Sequence, residues 1–475
     1  MNKNRLPKLA ALLLALLMAT VPAGALAGDA APAALELAQG MDAVEAPAEL
    51  SGLDVDAPEL VVDEISASHG EPAENDDEVA IDETNFPDEV FRNFVKEKID
   101  SDGNGSLSDT EIDDVLGINI NSMSIADLKG IEYFTKLEYL NCEANKLTKL
   151  DISGNKKLAL LLCGGNALTK LDVSGNTELE ELSCEWNKLK ALNVSKCKAL
   201  TDLVCTGNGM TKLDVSGNTH LEELKCSANK LKTLNVSKCK ALTVLVCTGN
   251  GMTKLDVSRN TRLEELECNE NKLKALNVSK CKALDELDCS NNALTKLVLG
   301  GNTSLKTLNC SNNKLKTLNA SKCSALTRLE CSDNALTRLD VRGDTRLDYL
   351  NCNNNKLKAL NVSTCKALTV LDCIQNGLTK LDVSKNASLE SLWCKENKLS
   401  QLNLGSKKKL MYLVVYWNRL KTIDLKDCPI LKKTVSKGDT EKSSEIIAFV
   451  DSKGTIAIDI TVKLTDGDKV LYENT

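Results

Sequence analysis

The chain has 475 residues, of which 42% are hydrophobic, and a formal net charge of −8. It holds only two histidines, His69 and His220, so neither a histidine-based triad nor a histidine-ligated catalytic metal can be assembled. We therefore expect a protein that is not an enzyme. We also expect that its partner is not nucleic acid. The alternative is an activity concealed in the last strands of the chain.

Residues 1–27 have the pattern of a secretory signal peptide. Basic residues up to Lys8 precede an apolar run from Leu9 to Val21, and Ala25, Leu26 and Ala27 provide an A-x-A cleavage site. No later apolar stretch reaches the length of a membrane-spanning helix. We expect a secreted, extracellular protein without a transmembrane anchor, released or held at the cell surface by non-covalent contacts.

Residues 28–84 differ in composition from everything that follows. They hold 17 Asp and Glu and no Lys or Arg, together with many Ala and Pro. Such a segment buries too little apolar surface to order itself. We predict a disordered acidic leader over this range.

The stretch DSDGNGSLSDTE at 100–111 has the spacing of an EF-hand calcium loop, with Gly105 at the sharp turn. The ligands expected for one calcium ion are Asp100, Asp102, Asn104, the carbonyl of Ser106, and Glu111. Helical spacing from Pro87 to Ile99 precedes the loop, so residues 85–114 are predicted to form an EF-hand-like helical cap. The alternative is that Ser108 to Glu111 is a capping box on a cap that binds no metal.

From Leu137 to Leu410 a leucine recurs every 21 residues and begins fourteen units of the form LxxLxCxxNxLxxLxVSxN. Each unit carries an asparagine at its ninth place, from Asn145 to Asn418. This period is typical of a leucine-rich repeat solenoid. We predict that residues 115–428 form an imperfect first repeat and fourteen coils: a right-handed, curved β-solenoid with a parallel concave sheet and an irregular, extended convex side.

The alternation in LxxLxC predicts a short strand that sends its leucine and cysteine inward. One coil cannot bury its own apolar edge, so the coils must stack in register about 4.8 Å apart. The asparagine follows the strand, where its side chain can bond backbone groups freed by the turn. The fourteen asparagines are expected to form a hydrogen-bonded ladder.

The nineteen cysteines fall on two places of the unit. Thirteen take the sixth place, from Cys142 to Cys394. Six take a place where other units carry Asn: Cys197, Cys239, Cys281, Cys323, Cys365 and Cys428. Stacked neighbours about 4.8 Å apart are too distant for a disulfide, and the close pairing of a zinc site is missing. Buried thiols that act as small hydrophobic side chains fit best.

Charged residues are sorted around the coil. Outward strand places in the middle units carry acids such as Glu181 and Glu265, and the turns of alternate units carry pairs such as Lys188 and Lys190. Both rows keep a solenoid soluble. The alternatives are an acidic face for basic partners and a lysine flank that attracts cell-wall polyanions.

Aromatic residues are scarce, yet several fall on outward places of the last coils. Exposed Trp and Tyr are enriched at binding hot spots and also stack on sugar rings. The expected partner-binding residues are Trp393, Tyr412, Tyr416, Trp417, Trp186 and Tyr349. Residues 429–475, which contain the strand-like IIAFVDSKGTIAIDITVKL, are predicted to form a small C-terminal β cap. The alternative for the aromatic residues is that they only seat this cap.

The cap followed by cysteine-bearing 21-residue coils, with LKGIEYFTKLEYL at 128–140 between them, resembles bacterial internalin-type leucine-rich-repeat surface proteins. The resemblance implies a concave face that binds a protein or glycan partner, with calcium stabilising the cap. The chain departs from that group in lacking an LPxTG-type wall anchor. The alternative function is a structural spacer of the cell envelope, attached by charge and without a specific partner.

Overall fold

The computed structural model describes residues 78–437, 439–442, 446–451, 454–459 and 461–473. The predicted signal peptide and the leader up to residue 77 lie outside the described residues. The end of the predicted leader belongs to the cap, because strand Val79–Ala80 pairs antiparallel with Ser106–Leu107. The Ile81 N–H also donates to the Gly105 carbonyl at 2.9 Å. The cap therefore begins before the predicted boundary at residue 85.

The cap contains two short helices. Helix α1 (Glu89–Lys98) begins after Asp88, whose carboxylate accepts hydrogen bonds from the first backbone N–H groups, and it buries Phe91 and Val95. Helix α2 (Asp109–Asp114) begins after Ser108 with a complete capping box. A 3₁₀ turn, Ile131–Tyr133, leads into the repeats.

Each coil contributes one strand to a single parallel sheet, which we call the main ladder. Neighbouring strands pair in register with a shift of one unit, so Leu140 lies opposite Leu161. Ile118 of the imperfect first repeat pairs with Leu140 in the same way. The strands are Gly117–Asn119, Tyr139–Asn141, Leu160–Leu162, Glu181–Ser183, Asp202–Val204, Glu223–Lys225, Val244–Val246, Glu265–Glu267, Glu286–Asp288, Thr307–Asn309, Arg328–Glu330, Tyr349–Asn351, Val370–Asp372, Ser391–Trp393 and Tyr412–Val414. The fold is a leucine-rich repeat solenoid, as the 21-residue period predicts.

The other side of the coils is mostly extended chain with a few short parallel pairings. These join neighbouring coils in the same register as the main ladder. The paired strands are Ala275–Asn277 with Lys296–Val298, Thr317–Asn319 with Arg338–Asp340, and Lys380–Asp382 with Gln401–Asn403.

The C-terminal segment begins with helix α3 (Pro429–Lys437), which the sequence analysis missed, and continues as the expected strands. Strand Gly454–Asp459 pairs with Tyr412–Val414 and so extends the main ladder past the last coil. Ile446–Asp451 and Asp439–Lys442 follow it in antiparallel order. On the other side, Lys463–Asp466 joins Thr422–Asp424 and Lys469–Tyr472. The segment thus supplies backbone partners to the last coil, as a cap must.

All nineteen cysteines are buried free thiols. Burial raises the pKa of Cys142 to about 12 and that of Cys197 to about 11. Such thiols stay protonated at neutral pH and are poor nucleophiles. The interpretation of the cysteines as core residues is therefore supported.

The asparagines at the ninth place, which we call the turn asparagines, form the expected ladder. The side-chain oxygen of Asn166 accepts from the Leu147 N–H at 2.9 Å. Its amide nitrogen donates to the carbonyls of Cys142, Cys163 and Gly164 at 2.9 to 3.2 Å. Each turn is thereby tied to its neighbour by a side chain that both accepts and donates.

Candidate functional site

The outward face of the main ladder is acidic in its middle coils. Glu181, Asp202 and Glu223 occupy the same strand place on three consecutive coils. Partial burial raises the pKa of Glu181, and the neighbouring carboxylates of Asp202 and Glu223 raise it further. The Lys225 ammonium offsets part of this repulsion at 2.7 Å from Glu223. The face carries crowded carboxylates that a basic partner group would stabilise.

Towards the C-terminal end the same face turns aromatic. The rings of Tyr416 and Trp417 meet edge to face with centroids 4.9 Å apart. The Lys395 ammonium donates to the Tyr416 hydroxyl at 3.1 Å and lies 5.9 Å from the centroid of the Trp417 ring. We call Lys395, Tyr416 and Trp417 the aromatic cluster. Because the Trp417 side chain is 45% exposed, the cluster offers a rigid apolar surface with an adjacent cation.

Two further aromatic residues lie on the strands that lead into this cluster. Tyr412 is 42% exposed and pairs with Ser391, whereas the half-buried Trp393 pairs with Val414. Trp393 and Tyr412 therefore sit diagonally on adjacent strands. The structure brings four of the six predicted partner-binding residues onto two neighbouring coils.

The C-terminal segment contacts this region through strand pairing and through one carboxylate. The Asp459 carboxylate accepts from the N–H groups of Trp417 and Asn418 at 2.6 and 3.2 Å. Thr455 lies opposite Tyr412 in the sheet. The cap is thus seated on the last coil while the rings of Tyr412 and Trp417 keep their exposure.

Trp186 and Tyr349 lie away from the aromatic cluster. Trp186 is 61% exposed and takes the same turn place as Trp417, with φ of 50°. Its ring lies over Gly207, where an added Cβ would come within 2.4 Å of the indole. Tyr349 is half-buried under the Arg328 guanidinium, which lies 4.0 Å from the ring centroid.

The predicted calcium ligands converge in the cap. Carboxylate oxygens of Asp100, Asp102 and Glu111 lie within 4.8 Å of one another. This separation suits oxygens that share one ion at the 2.3 to 2.6 Å distances of calcium. Asp100 is buried, and its two oxygens accept from the N–H groups of Gly103 and Gly105. The loop is therefore folded around its carboxylates, and the donor set fits calcium.

Glu111 serves the capping box and the loop together. Its oxygens accept hydrogen bonds from Ser101 and Ser108 at 2.7 to 2.9 Å. Partial burial raises the Glu111 pKa, but these hydrogen bonds outweigh it, and the pKa lies below the usual value. The side chain is held as a carboxylate, which is the form a metal requires. Of the remaining predicted ligands, Asn104 accepts from the Ser106 N–H at 2.7 Å.

Sequence reasoning missed two residues that shape these surfaces and one residue of the core. Lys395 and Arg328 lie on the outward face, where only their contact with aromatic rings distinguishes them from other cations. Asp344 is fully buried among asparagines and cysteines, and neither of its oxygens has a partner in the described structure. The signal for Asp344 was present, because it interrupts a column of Asn and Cys.

Solved structures of leucine-rich repeat proteins share this fold. The functional domain of InlJ from Listeria monocytogenes, described as including a cysteine ladder, is 28% identical, with a TM-score of 0.68, over 81% of this chain and 98% of its own. A leucine-rich repeat protein of Leptospira interrogans is also 28% identical, with a TM-score of 0.54, over 67% of this chain and 81% of its own. The internalin InlF from Listeria monocytogenes, at 20% identity and a TM-score of 0.51 over 75% of this chain and 96% of its own, shares the fold alone. The chain is similar to internalins, and to InlJ also in its cysteine column.

No protein-family model and no curated protein matches the chain. In the part of the chain that the structure describes, no helix is long and apolar enough to cross a membrane.

Proposed function

We propose that this is a secreted or surface-associated binding protein that recognises a protein or glycan partner through the outward face of the main ladder. The observation that carries the proposal is the exposed aromatic cluster beside Tyr412, because such rings offer large, rigid contact area at little entropic cost. The acidic middle coils would add selectivity for partners with a basic region. The similarity to internalin structures supports a binding role.

The matched variants are Trp417→Ala and Trp186→Ala. Both remove an exposed indole from the same place of the turn, at φ of 55° and 50°. Binding is measured on a printed glycan array and against purified cell-surface proteins, with each hit measured again in solution. We expect Trp417→Ala to weaken binding by about tenfold or more, since hot-spot truncation costs about 2 kcal/mol or more, whereas Trp186→Ala, which lies outside the aromatic cluster, should weaken it less.

Circular dichroism melting distinguishes a binding surface from a cap seat. If Trp417→Ala lowers the melting temperature of the last coils and binding falls only in proportion, the rings act as a seal and the proposal is wrong. Equal loss with Trp186→Ala also contradicts it. Attachment to cell walls that vanishes in about 1 M salt, where screening reaches about 3 Å, would instead favour a charge-attached spacer.

We further propose that the cap binds one calcium ion through Asp100, Asp102, Asn104, Ser106 and Glu111. Calcium would neutralise three carboxylates held close together and hold the turn between the helices. At a calcium concentration 100 times the dissociation constant, binding adds about 2.7 kcal/mol to stability.

The test compares melting of the parent protein and Asp100→Asn in calcium and in chelator. The control is Asp113→Asn, which removes a carboxylate from helix α2 outside the loop. We expect calcium to stabilise the parent and the control but not Asp100→Asn. The same calcium shift in all three proteins would contradict the assignment.

A further inference from the structure

The turns that follow the main ladder carry charge of one sign. In all fourteen units, the four residues after the turn asparagine include at least one Lys or Arg and no Asp or Glu. Alternate units carry a lysine pair, and Lys188 and Lys190 recur every 42 residues up to Lys356 and Lys358. We call these pairs, with Lys398, the lysine flank. A surface that needs only solubility mixes both signs, whereas a row of one sign attracts an oppositely charged ligand.

The ammonium groups of the lysine flank are available to a ligand. Their side chains are exposed, and within the described residues none of them forms an ion pair or a side-chain hydrogen bond. Elsewhere the protein does pair its lysines, as where Lys149 meets Asp127 at 2.9 Å. The positive charge of the flank is therefore not neutralised by acidic groups of the described residues.

The spacing of the flank is set by backbone. The N–H groups of Lys356, Gly377 and Lys398 donate to carbonyls of the preceding coils at 2.8 to 2.9 Å. The turns thus stack with the same spacing as the strands. Because lysine pairs occupy every second coil, they recur at about 9.6 Å, which is two strand spacings.

Between two lysine coils lies a notch. The intervening coil carries Gly or Ala where its neighbours carry the first lysine, and Thr where they carry the second. One such notch is an open depression of about 510 Å³, whose lining includes Lys356, Lys358, Gly377, Thr379 and Lys398. The same letters recur between successive lysine pairs from residue 188 onward. The repeat therefore places the same residue types, with cations on both sides, at each intervening coil along the flank.

We propose that the lysine flank binds a linear acidic polysaccharide, with one carboxylate or sulfate at each lysine coil and a sugar in each notch. In an extended acidic polysaccharide with one charged group per disaccharide, the charges recur at a distance close to that between lysine pairs. The Thr295 and Thr337 hydroxyls donate to the carbonyls of Lys274 and Lys316 at 3.2 Å, so the notch threonines can accept hydrogen bonds from sugar hydroxyls. The proposal goes beyond the proposed function, because the flank is a different surface from the outward face of the ladder.

Nucleic acid fits the flank less well. Phosphates of DNA recur at about 3.4 Å along a strand, which matches neither the coil spacing of about 4.8 Å nor the spacing of the lysine pairs. Single strands are also held by stacking on aromatic rings, and no aromatic residue occurs in the four-residue turns that make up the flank.

The test uses the full chain and hyaluronan and chondroitin sulfate as probes, with neutral dextran and single-stranded DNA for comparison. The flank variant replaces Lys230, Lys232, Lys272 and Lys274 by Gln. The control variant replaces Lys196, Lys238, Lys240 and Lys280 by Gln, which removes the same charge from exposed lysines elsewhere on the coils. Dissociation constants are measured at fixed salt, and melting curves check that both variants fold.

We expect at least one acidic polysaccharide to bind, and the flank variant to bind it at least about tenfold more weakly because the row acts multivalently. The control variant should stay within about twofold of the parent. Affinity of the parent should also rise with oligosaccharide length as further notches are filled, a result that needs no variant. Equal loss in both variants, no binding of either polysaccharide, or equally tight binding of DNA of the same charge would overturn the proposal.

Discussion

Two columns of side chains run along the solenoid and differ in how much variation they accept. The turn asparagines are Asn in all fourteen units. The second column, which we call the back column, lies ten residues further along each unit and holds Asn or Cys in twelve units, Asp in one and Lys in one. Its members are Asn155, Asn176, Cys197, Asn218, Cys239, Asn260, Cys281, Asn302, Cys323, Asp344, Cys365, Asn386, Lys407 and Cys428.

The hydrogen bonds explain the difference. A turn asparagine must accept from one backbone N–H and donate to several carbonyls, and only an amide side chain does both from one position. In the back column, Asn218 donates to the carbonyls of Val194 and Cys197 at 3.0 and 2.7 Å, while its oxygen has no partner. A donor alone suffices there. The Cys239 thiol donates to Val215 at 3.5 Å, and the Lys407 ammonium donates to Val383 at 2.8 Å.

The largest effect should come from a turn asparagine. Asn271 accepts from the Met252 N–H at 3.0 Å and donates to Cys247 and Cys268. Asn271→Leu leaves these buried groups unpaired and should cost about 4 kcal/mol, since each costs about 1 to 3 kcal/mol. Asn260→Leu in the back column leaves only two carbonyls unpaired and should cost about half as much. Urea unfolding followed by circular dichroism measures both, and equal losses would refute the distinction.

The next largest loss of stability should come from a cysteine of the main ladder. This loss distinguishes the main-ladder cysteines from those of the back column. Cys268 points inward from the main ladder and is fully buried. Cys268→Asn places an amide in the apolar core, which should cost about 3 kcal/mol. Cys268→Ala is the control, because it removes the thiol without adding a polar group. If Cys268→Asn is no worse than Cys268→Ala, the interior of the ladder tolerates polar groups and our account of this column is wrong.

The third prediction concerns a substitution that should increase the stability of the protein. Asp344 stands in the back column, where an ionised carboxylate cannot donate. Burial, with a contribution from Asp340, raises the pKa of Asp344 from 3.8 to about 7. The unfolded chain loses this proton near pH 4 and the folded chain only near pH 7. Stability therefore falls as pH rises through this window, and above pH 7 the fold contains a buried charge without a partner.

Asp344→Asn restores a donor and should stabilise the protein by about 2 kcal/mol at pH 8, with little gain near pH 4. The reverse substitution, Asn302→Asp, should introduce the same pH dependence two coils earlier. Urea midpoints measured from pH 4 to pH 8 test both. A gain from Asp344→Asn that is equal at every pH would show that the carboxyl does not titrate in this range.

The fold was predictable because one period of 21 residues fixes the register of every coil. An inserted residue would turn Leu140 and its equivalents outward, so the letters alone determine the ladder. The back column was also visible in the sequence. Its need for a hydrogen-bond donor alone was not, because the missing partner of the Asn218 oxygen is a property of packing. Asp344 acquires its meaning only when its burial is known.

The ends of the solenoid were harder to predict, because they do not repeat. Strand Val79–Ala80 is two residues long and lies beside an acidic segment, so no local pattern marks it. Helix α3 has only nine residues, and its apolar spacing, with Leu431 and Val435 packed on the core, covers a single turn. The contact of Asp459 with Trp417 depends on the path of the C-terminal chain, which no spacing in the sequence specifies. The candidate site could therefore be predicted as a set of aromatic residues but not as an arrangement.

The smallest change in stability is expected for a Cys-to-Asn substitution in the back column. It is the most specific test of the conclusion that this column requires only a hydrogen-bond donor. Cys281 donates its thiol to Val257 at 3.5 Å, and its neighbours in the column, Asn260 and Asn302, donate to equivalent carbonyls. Cys281→Asn should therefore change the unfolding free energy by less than about 1 kcal/mol, because one donor replaces another. Cys281→Val, which has no donor, leaves a buried carbonyl unpaired and should cost about 1 to 3 kcal/mol. If Val is tolerated as well as Asn, the column selects for size alone and its hydrogen bonds contribute nothing to stability.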